Sequence, residues 1–306
     1  MTRQAHAHTQ KVLNLSQNLL FGCAKPAFAV KFSSTETNLY VAFASRILKQ
    51  KHIGAIRGNL TGEIAEFGYL GWLCFYLPNF MVANSKAAIL RAIELGKPKD
   101  KLFFLPNVVD DTIFVPKKNK GTMIKLKGIF LGNFRQPKRV DRVIKLAKNC
   151  KDNNLPVEFY LYGNGALRKE LVADAQKNGV LNKNLFFMGS TNDSSMTLQS
   201  GDFLILTSDN EGTPNVVLEA MSCGLPVIST DVGDASDLVK NRLNGFVLPV
   251  GDDKGLYDAV KELVSNPNLC MEMGRNNRKQ IIESRSYTML GGHLLALCAN
   301  LQVLEK

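Results

Sequence analysis

The sequence predicts an α/β fold built on parallel sheets, and three observations carry that prediction. Six short apolar runs follow one another from residue 125 onward: Lys125–Leu131, Val157–Tyr162, Leu185–Met188, Phe203–Thr207, Pro226–Thr230 and Gly245–Leu248. They lack a period-two alternation, which reads as strands covered on both faces. Between them lie Val140–Lys151, Ala166–Asn178, Ser194–Gln199, Val216–Cys223 and Ser236–Lys240, with apolar residues at helical spacing. Loops bearing Gly, Asn, Ser or Asp join the two kinds of segment, the pattern of successive βαβ units.

Residues 254–284 and 286–304 read as closing helices. The first part of the chain is a smaller α/β unit. Its strand candidates are Ala27–Phe32, His52–Arg57, Phe80–Ala83 and Leu102–Leu105, with helices at Asn38–Lys49 and Lys86–Leu95. Val115–Gly121 (VPKKNKG) has linker composition. The expected domains are therefore residues 1–115, residues 116–290 and a closing helix over 291–306.

A chain of 306 residues with 45% hydrophobic and 21% charged residues has room for about two globular domains. Its six cysteines are scattered with no CxxC pair, which speaks for reduced thiols rather than a disulfide framework or a zinc site. The net charge of +11 favours anionic partners: phosphorylated ligands, an anionic membrane face or nucleic acid. No recognisable RNA- or DNA-binding motif accompanies the charge, so nucleic acid is not expected. The basic run Lys117, Lys118, Lys120, Lys125 and Lys127 reads as a solvated linker. Val12–Ala24 is interrupted by Asn14, Ser16, Gln17 and Asn18 and does not read as a signal peptide. Phe67–Ala83, the most apolar stretch, is broken by Gly71 and Pro78 and falls short of the roughly 20 residues that span a bilayer. It predicts a buried helix followed by a buried strand, with contact to a membrane surface as the second reading. The expected location is cytoplasmic, with peripheral attachment to the inner membrane face as its narrower form.

The stretch Ser208–Gly233 (SDNEGTPNVVLEAMSCGLPVISTDVG) carries the chemistry. It follows an apolar strand, turns through Asp209–Gly212 and enters a helix near Pro214, a residue suited to a first helical turn. The start of such a helix presents backbone N–H groups and a positive dipole end to a phosphate or sugar oxygen. Glu211 lies at the loop tip and Glu219 two turns into the helix, so both can face a ligand over the helix start. Carboxylates accept paired hydrogen bonds from vicinal hydroxyls, such as those of ribose and hexose. Ligands of open α/β sheets lie at the carboxyl ends of strands, where these residues sit. Taken alone, two glutamates eight apart would be a solvated helix face.

The whole string resembles the signature of the family 4 retaining glycosyltransferases, a glutamate–seven–glutamate motif within EGxPxxxxEAMxxGxPVIxT. Glu211, Gly212, Pro214, Glu219, Ala220, Met221, Gly224, Pro226, Val227, Ile228 and Thr230 match it. Other likenesses follow in the family's order. Gly132–Lys138 (GNFRQPK) is similar to the loop that supplies an arginine and a lysine to the donor diphosphate. Lys138 stands at the lysine position; Asn133 stands at the usual arginine position, with Arg135 two residues later. Gly163-Asn164-Gly165 looks like the family's glycine turn, and Phe187-Met188-Gly189 like the strand end that contacts the base. Val82–Ser85 and Leu105–Asp110 look like structural landmarks of the first domain. The family's first domain opens with a strand and a glycine-rich loop, and this chain starts past that point. Where the family has a histidine near the reacting sugar, this chain has Arg57-Gly58-Asn59; His6 and His8 lie in no such context.

The resemblance implies a GT-B fold, with two Rossmann-like domains facing across a cleft and the N-terminal one abbreviated. It implies retaining, metal-independent transfer of a hexosyl group from a UDP- or GDP-linked sugar to a saccharide or lipid-linked acceptor, without a cofactor. The absence of a DxD motif supports metal independence. Glu211 would orient the sugar, and Arg135 and Lys138 would neutralise the diphosphate. Glu219 would hold the ribose. Gly212, Thr213, Pro214, Asn215, Val216, Gly132, Gly163 and Met188 would complete the donor site. Other readings are a non-catalytic or partner-dependent subunit that binds a nucleotide sugar, and an epimerase or phosphorylase of the same architecture.

Overall fold

A computed structural model describes residues 28–30, 35–49, 51–58, 60–117 and 125–303. The candidates His6, His8 and Asn59, together with Cys23, Lys118 and Lys120, lie outside those residues. The chain divides into two compact units. The first takes in residues up to Ala83 together with Ala88–Phe104; the second takes in Asn84–Ala87 and everything from Leu105 onward. The linker composition of Val115–Gly121 predicts a division at residue 115, whereas the compact units divide between Phe104 and Leu105.

In the first unit four short strands pair in parallel in chain order: β1 (Phe28–Val30), β2 (Lys51–Ile56), β3 (Phe80–Ala83) and β4 (Leu102–Phe104). Helix α1 (Thr35–Ile47) crosses from β1 to β2, where the buried Asn38 side chain bonds both backbone groups of Ala55 at 3.1 Å. Helices α2 (Leu60–Phe67) and α3 (Tyr69–Tyr76) lead to β3, and α4 (Lys86–Glu94) leads from it. The sequence reading had no helix at α2. Strand β3 is buried throughout, as expected, but α3 is not the buried helix the sequence suggested. Gly71, Cys74 and Phe75 are buried, whereas Tyr69, Leu70, Trp72 and Tyr76 are 77, 52, 39 and 49% exposed. All eight residues of α3 are apolar or glycine, yet it offers only one face to its neighbours. It crosses α2 at Gly71, where a Cβ would lie 2.7 Å from the Ile64 carbonyl oxygen. Lys97 is buried and donates to the carbonyls of Phe75 and Pro78 at 3.1 and 2.8 Å, closing the end of α3; burial lowers its pKa to about 8.

The second unit holds a six-stranded parallel sheet: β5 (Leu126–Leu131), β6 (Val157–Tyr162), β7 (Leu185–Gly189), β8 (Phe203–Leu206), β9 (Val227–Thr230) and β10 (Gly245–Leu248). Their spatial order is β10-β9-β8-β5-β6-β7. The chain steps outward from β5 to β7, returns beside β5 with β8, and steps outward the other way, so the order reverses between β5 and β8. Strands β8 and β9 are buried on both faces, while β6 alternates buried and half-buried residues. Gly128 allows β5 and β8 to pair closely: a Cβ there would meet the Phe203 ring at 2.6 Å.

Helices α5 (Val140–Asp152), α6 (Arg168–Lys177), α7 (Ser194–Gln199), α8 (Asn215–Ser222) and α9 (Ala235–Leu238) alternate with these strands. The expected closing helices are α10 (Asp253–Ser265), α11 (Pro267–Ser284) and α12 (Leu290–Val303). α10 and α11 separate at Asn266, because a residue before proline avoids helical backbone; its φ and ψ are −133° and 76°. One core joins β5, β6 and β7 to α5, α6, α10 and α11 on one face; a second packs α7, α8 and α9 on the other. Residues 105–115 belong here through backbone bonds between Val109 and residues 285 and 287, and through Arg278, which donates to the carbonyls of Phe114, Asp111 and Ser222.

Candidate functional site

Three loops leave the carboxyl ends of β5, β6 and β7 stitched together through glycines. Gly132 N–H donates to the Tyr162 carbonyl at 3.0 Å, Phe134 N–H to that of Asn164 at 3.0 Å, and Gly163 N–H to that of Gly189 at 2.8 Å. Gly163 has φ +151°, and a Cβ there would lie 1.9 Å from the Gly132 carbonyl oxygen. The requirement for glycine at 163 is therefore a close approach of two loops. Phe134 is fully buried beneath them, in edge contact with Phe187. Met188, at the end of β7, is 48% exposed.

Across the reversal, the loop after β8 is tied to the loop after β5. Thr207 Oγ1 lies 3.1 and 3.0 Å from the carbonyls of Lys138 and Arg139, and Asp209 N–H donates to Pro137 at 2.8 Å. The Asp209 carboxylate pairs with Arg139 at 3.0 Å and with the buried Arg142 at 2.8 Å. Arg139 holds left-handed backbone (φ 47°), and its hydrogen bonds to Asp141 and Asp209 raise its pKa. None of this lacing was anticipated from the sequence, because its partners lie about seventy residues apart and carry no motif.

Lys138 and Glu211 meet above the lacing. Lys138 Nζ contacts Glu211 Oε1 at 2.5 Å, and Ser208 Oγ donates to the same oxygen at 2.7 Å. The sequence reading gave these two residues separate ligands; the structure makes them each other's partner. Arg135 and Asn133 are exposed on the same loop.

Pro214 is the N-cap of α8 rather than a residue of its first turn, and makes no side-chain cap bond. The first amides of a helix have no intrahelical acceptor, so α8 presents such groups beside Gly212 and Thr213. The Asp234 N–H donates to the Gly212 carbonyl at 3.2 Å; Gly233, with φ +55°, lies so close that a Cβ would sit 1.7 Å from that oxygen. The buried Asp234 carboxylate accepts from Ser85 Oγ at 2.7 Å, from Thr213 Oγ1 at 3.1 Å, and from the amides of Lys86 and Ala87. Thr213 Oγ1 also lies 2.8 Å from the Asn84 carbonyl. The Val82–Ser85 and Leu105–Asp110 landmarks thus contribute Asn84, Ser85 and Asn107 to the surroundings of α8.

Glu219 falls in the second turn of α8, with half-buried Val216 before it. Among the described residues its carboxyl meets no cation or donor, and burial pushes its pKa from 4.5 to about 7. Among the described residues no group of three or more His, Cys, Asp or Glu side chains could hold a metal ion. Likewise, no described helix is long and apolar enough to cross a membrane.

Comparison with known proteins points the same way. The family model described as glycosyl transferases group 1 matches residues 114–280. The N-acetyl-alpha-D-glucosaminyl L-malate synthase of Bacillus anthracis is 27% identical over 212 residues, 66% of this chain and 55% of that protein. The UDP-Gal:alpha-D-GlcNAc-diphosphoundecaprenol alpha-1,3-galactosyltransferase of Escherichia coli is 31% identical over 193 residues, 60% of this chain and 50% of that one. The chain thus spans about half the length of these curated relatives. The structure of HepE from Anabaena in complex with UDP superposes with a TM-score of 0.80 at 17% identity, covering 94% of this chain and 82% of that chain. That likeness is one of fold. The fold class is GT-B: α/β, two Rossmann-like domains with parallel sheets, the N-terminal sheet the shorter.

The unpartnered Glu219 generates a test that needs no ligand. Its folded pKa, about 7, lies above the ordinary 4.5. Stability linked to its proton is fully present below about 4.5 and is lost as pH rises through about 7. Glu219→Gln is therefore expected to melt with the wild type at pH 4 and above it at pH 8, as read by thermal denaturation. Equal melting temperatures at both pH values would show that the carboxyl is well solvated.

Proposed function

The chain belongs to the glycosyl transferases group 1 family, and we propose from that premise that it binds a nucleoside-diphosphate sugar and transfers the sugar with retention. The acceptor class is a saccharide or a lipid-linked saccharide, and the setting is polysaccharide or glycoconjugate assembly. The Lys138–Glu211–Ser208 cluster, poised beside the start of α8 where strand order reverses, carries the reading. The names of the relatives from Bacillus anthracis and Escherichia coli, and the UDP and UDP-glucose in the HepE structures, support the substrate class.

In this reading the diphosphate displaces Glu211 from Lys138 and takes the ammonium as its own counter-ion, with Arg135 as a second cation. Two cations and the amides of Gly212, Thr213, Asn215 and Val216 stabilise the charge that gathers on the leaving diphosphate as the sugar–phosphate bond breaks. These groups supply the electrostatics without a metal ion. Glu211, released, accepts hydrogen bonds from the sugar hydroxyls, while Glu219 accepts them from the ribose diol. Gly132, Gly163 and Met188 border the nucleotide.

The membrane-facing form of the acceptor rests on α3. Tyr69, Leu70, Trp72 and Tyr76 form an exposed aromatic and aliphatic row in a chain of net charge +11. Tryptophan and tyrosine settle at bilayer interfaces, and basic charge adds attraction to anionic lipid. The proposed location is the cytoplasmic face of a membrane.

Two experiments test these readings. Glu219→Ala is expected to weaken both UDP and UDP-glucose roughly tenfold, the loss typical of a charge-assisted hydrogen bond. Glu211→Ala is expected to weaken UDP-glucose while leaving UDP unchanged or tighter, because Lys138 loses a competing carboxylate. Equal losses of both ligands in both variants, by calorimetry, would refute the division of roles. In the second experiment the protein is expected to sediment with phosphatidylglycerol vesicles at low salt. It should be released at high salt or by Trp72→Ser combined with Tyr69→Ser. Protein that stays in the supernatant at low salt would refute membrane attachment.

A further inference from the structure

Three carboxamides in the second unit form a chain that ends at α8. Asn84 Nδ2 donates to Asn107 Oδ1 at 3.2 Å, and Asn107 Nδ2 donates to Asn215 Oδ1 at 2.7 Å. Asn215 is the first residue of α8 and is exposed, whereas Asn84 is nine-tenths buried. The anchor is held from behind, since Thr213 Oγ1 lies 2.8 Å from the Asn84 carbonyl oxygen. The far oxygen of the Asn84 side chain is buried and meets no donor. A buried carbonyl oxygen without a donor is costly and rare in folded proteins. The cost is borne where the same side chain points its N–H group along this chain.

A carboxamide has one oxygen and one NH2 group, so engaging one end decides which end is presented outward. With Oδ1 turned to Asn107, Asn215 offers two N–H donors. Pro214, the N-cap, has no side-chain acceptor, so nothing caps the free amides of this helix start. Both features favour an anion: the added donors of Asn215, and amides left uncapped behind Pro214.

We infer that Asn107 is a positioning residue that locks the Asn215 carboxamide with its NH2 group toward an anionic ligand at the start of α8. The ligand class is the diphosphate of a nucleotide. The inference rests on the donor-site reading above, and adds to it the orientation of Asn215 and the two residues, Asn107 and Asn84, that set it.

A double-mutant cycle on binding tests it. The full chain is titrated calorimetrically with UDP and with GDP, as wild type, Asn215→Ala, Asn107→Ala and the double variant, with Asn107→Ser in reserve should Asn107→Ala melt early. Asn215→Ala is expected to weaken whichever nucleotide binds by roughly tenfold. Asn107→Ala should weaken it less, and the double variant should bind no more weakly than Asn215→Ala alone. If Asn107 only supports the fold, its substitution lowers the melting temperature and its effect on affinity persists unchanged beside Asn215→Ala. Such additivity overturns the inference, as does full affinity in Asn107→Ala or Asn107→Ser. Should the wild type bind neither nucleotide, the donor-site reading falls and this inference with it. Additivity in a wild type that binds removes this inference alone.

Discussion

Strand β8 returns to pair beside β5, and the character of the site follows from that return. Two adjacent parallel strands whose connections leave in opposite directions open a crevice at their carboxyl ends. The chain must fill the rim of the crevice without closing it. Asp209, Thr207 and the backbone of residues 137–139 fix the two rims to each other. Glycines at 163, 165 and 233 let neighbouring backbones approach where any side chain would collide. Such a frame is held by its own bonds, and pre-organised donors are what a developing negative charge requires.

Within that frame two charges are paired. Lys138 and Glu211 neutralise each other, so neither is left as an unpaired, partly desolvated charge. An incoming diphosphate and sugar would supply each with a new partner at the same moment. Glu219 differs. Burial without a counter-ion raises its pKa to about 7, well above the ordinary carboxylate range. Hydroxyls that donate to it would favour the carboxylate, and binding would release a proton.

Much of this was legible in the sequence, for reasons that particular residues show. The six strands of the second unit were placed within a residue or two, because a buried parallel strand writes itself as an uninterrupted apolar run. The segment from Glu211 to Thr230 announced a strand, a turn and a helix start in one string. Pro214 was placed one residue too far into the helix, since a proline suits both the cap and the first turn. What stayed hidden was pairing across distance. Lys138 meets Glu211 seventy-three residues on, and Ser85 meets Asp234 one hundred and forty-nine residues on. No local pattern marks either contact. The exposure of α3 was hidden for another reason: an all-apolar octamer does not say which of its faces will be covered.

The two units also differ in what they contribute. The second assembles the surroundings of Lys138, Glu211 and Glu219 from its own residues, and its segment Asn84–Ala87 bonds to Asp234 and Thr213 beside them. In the proposed reading a nucleotide lies over the carboxyl ends of β5 and β8 and the start of α8. Hydrogen exchange of the full chain with and without saturating UDP tests this most directly. Protection is expected over residues 132–138, 163–165 and 212–217, with the amides of residues 60–80 unchanged. Saturable UDP binding that protects none of those three loops would contradict the claim.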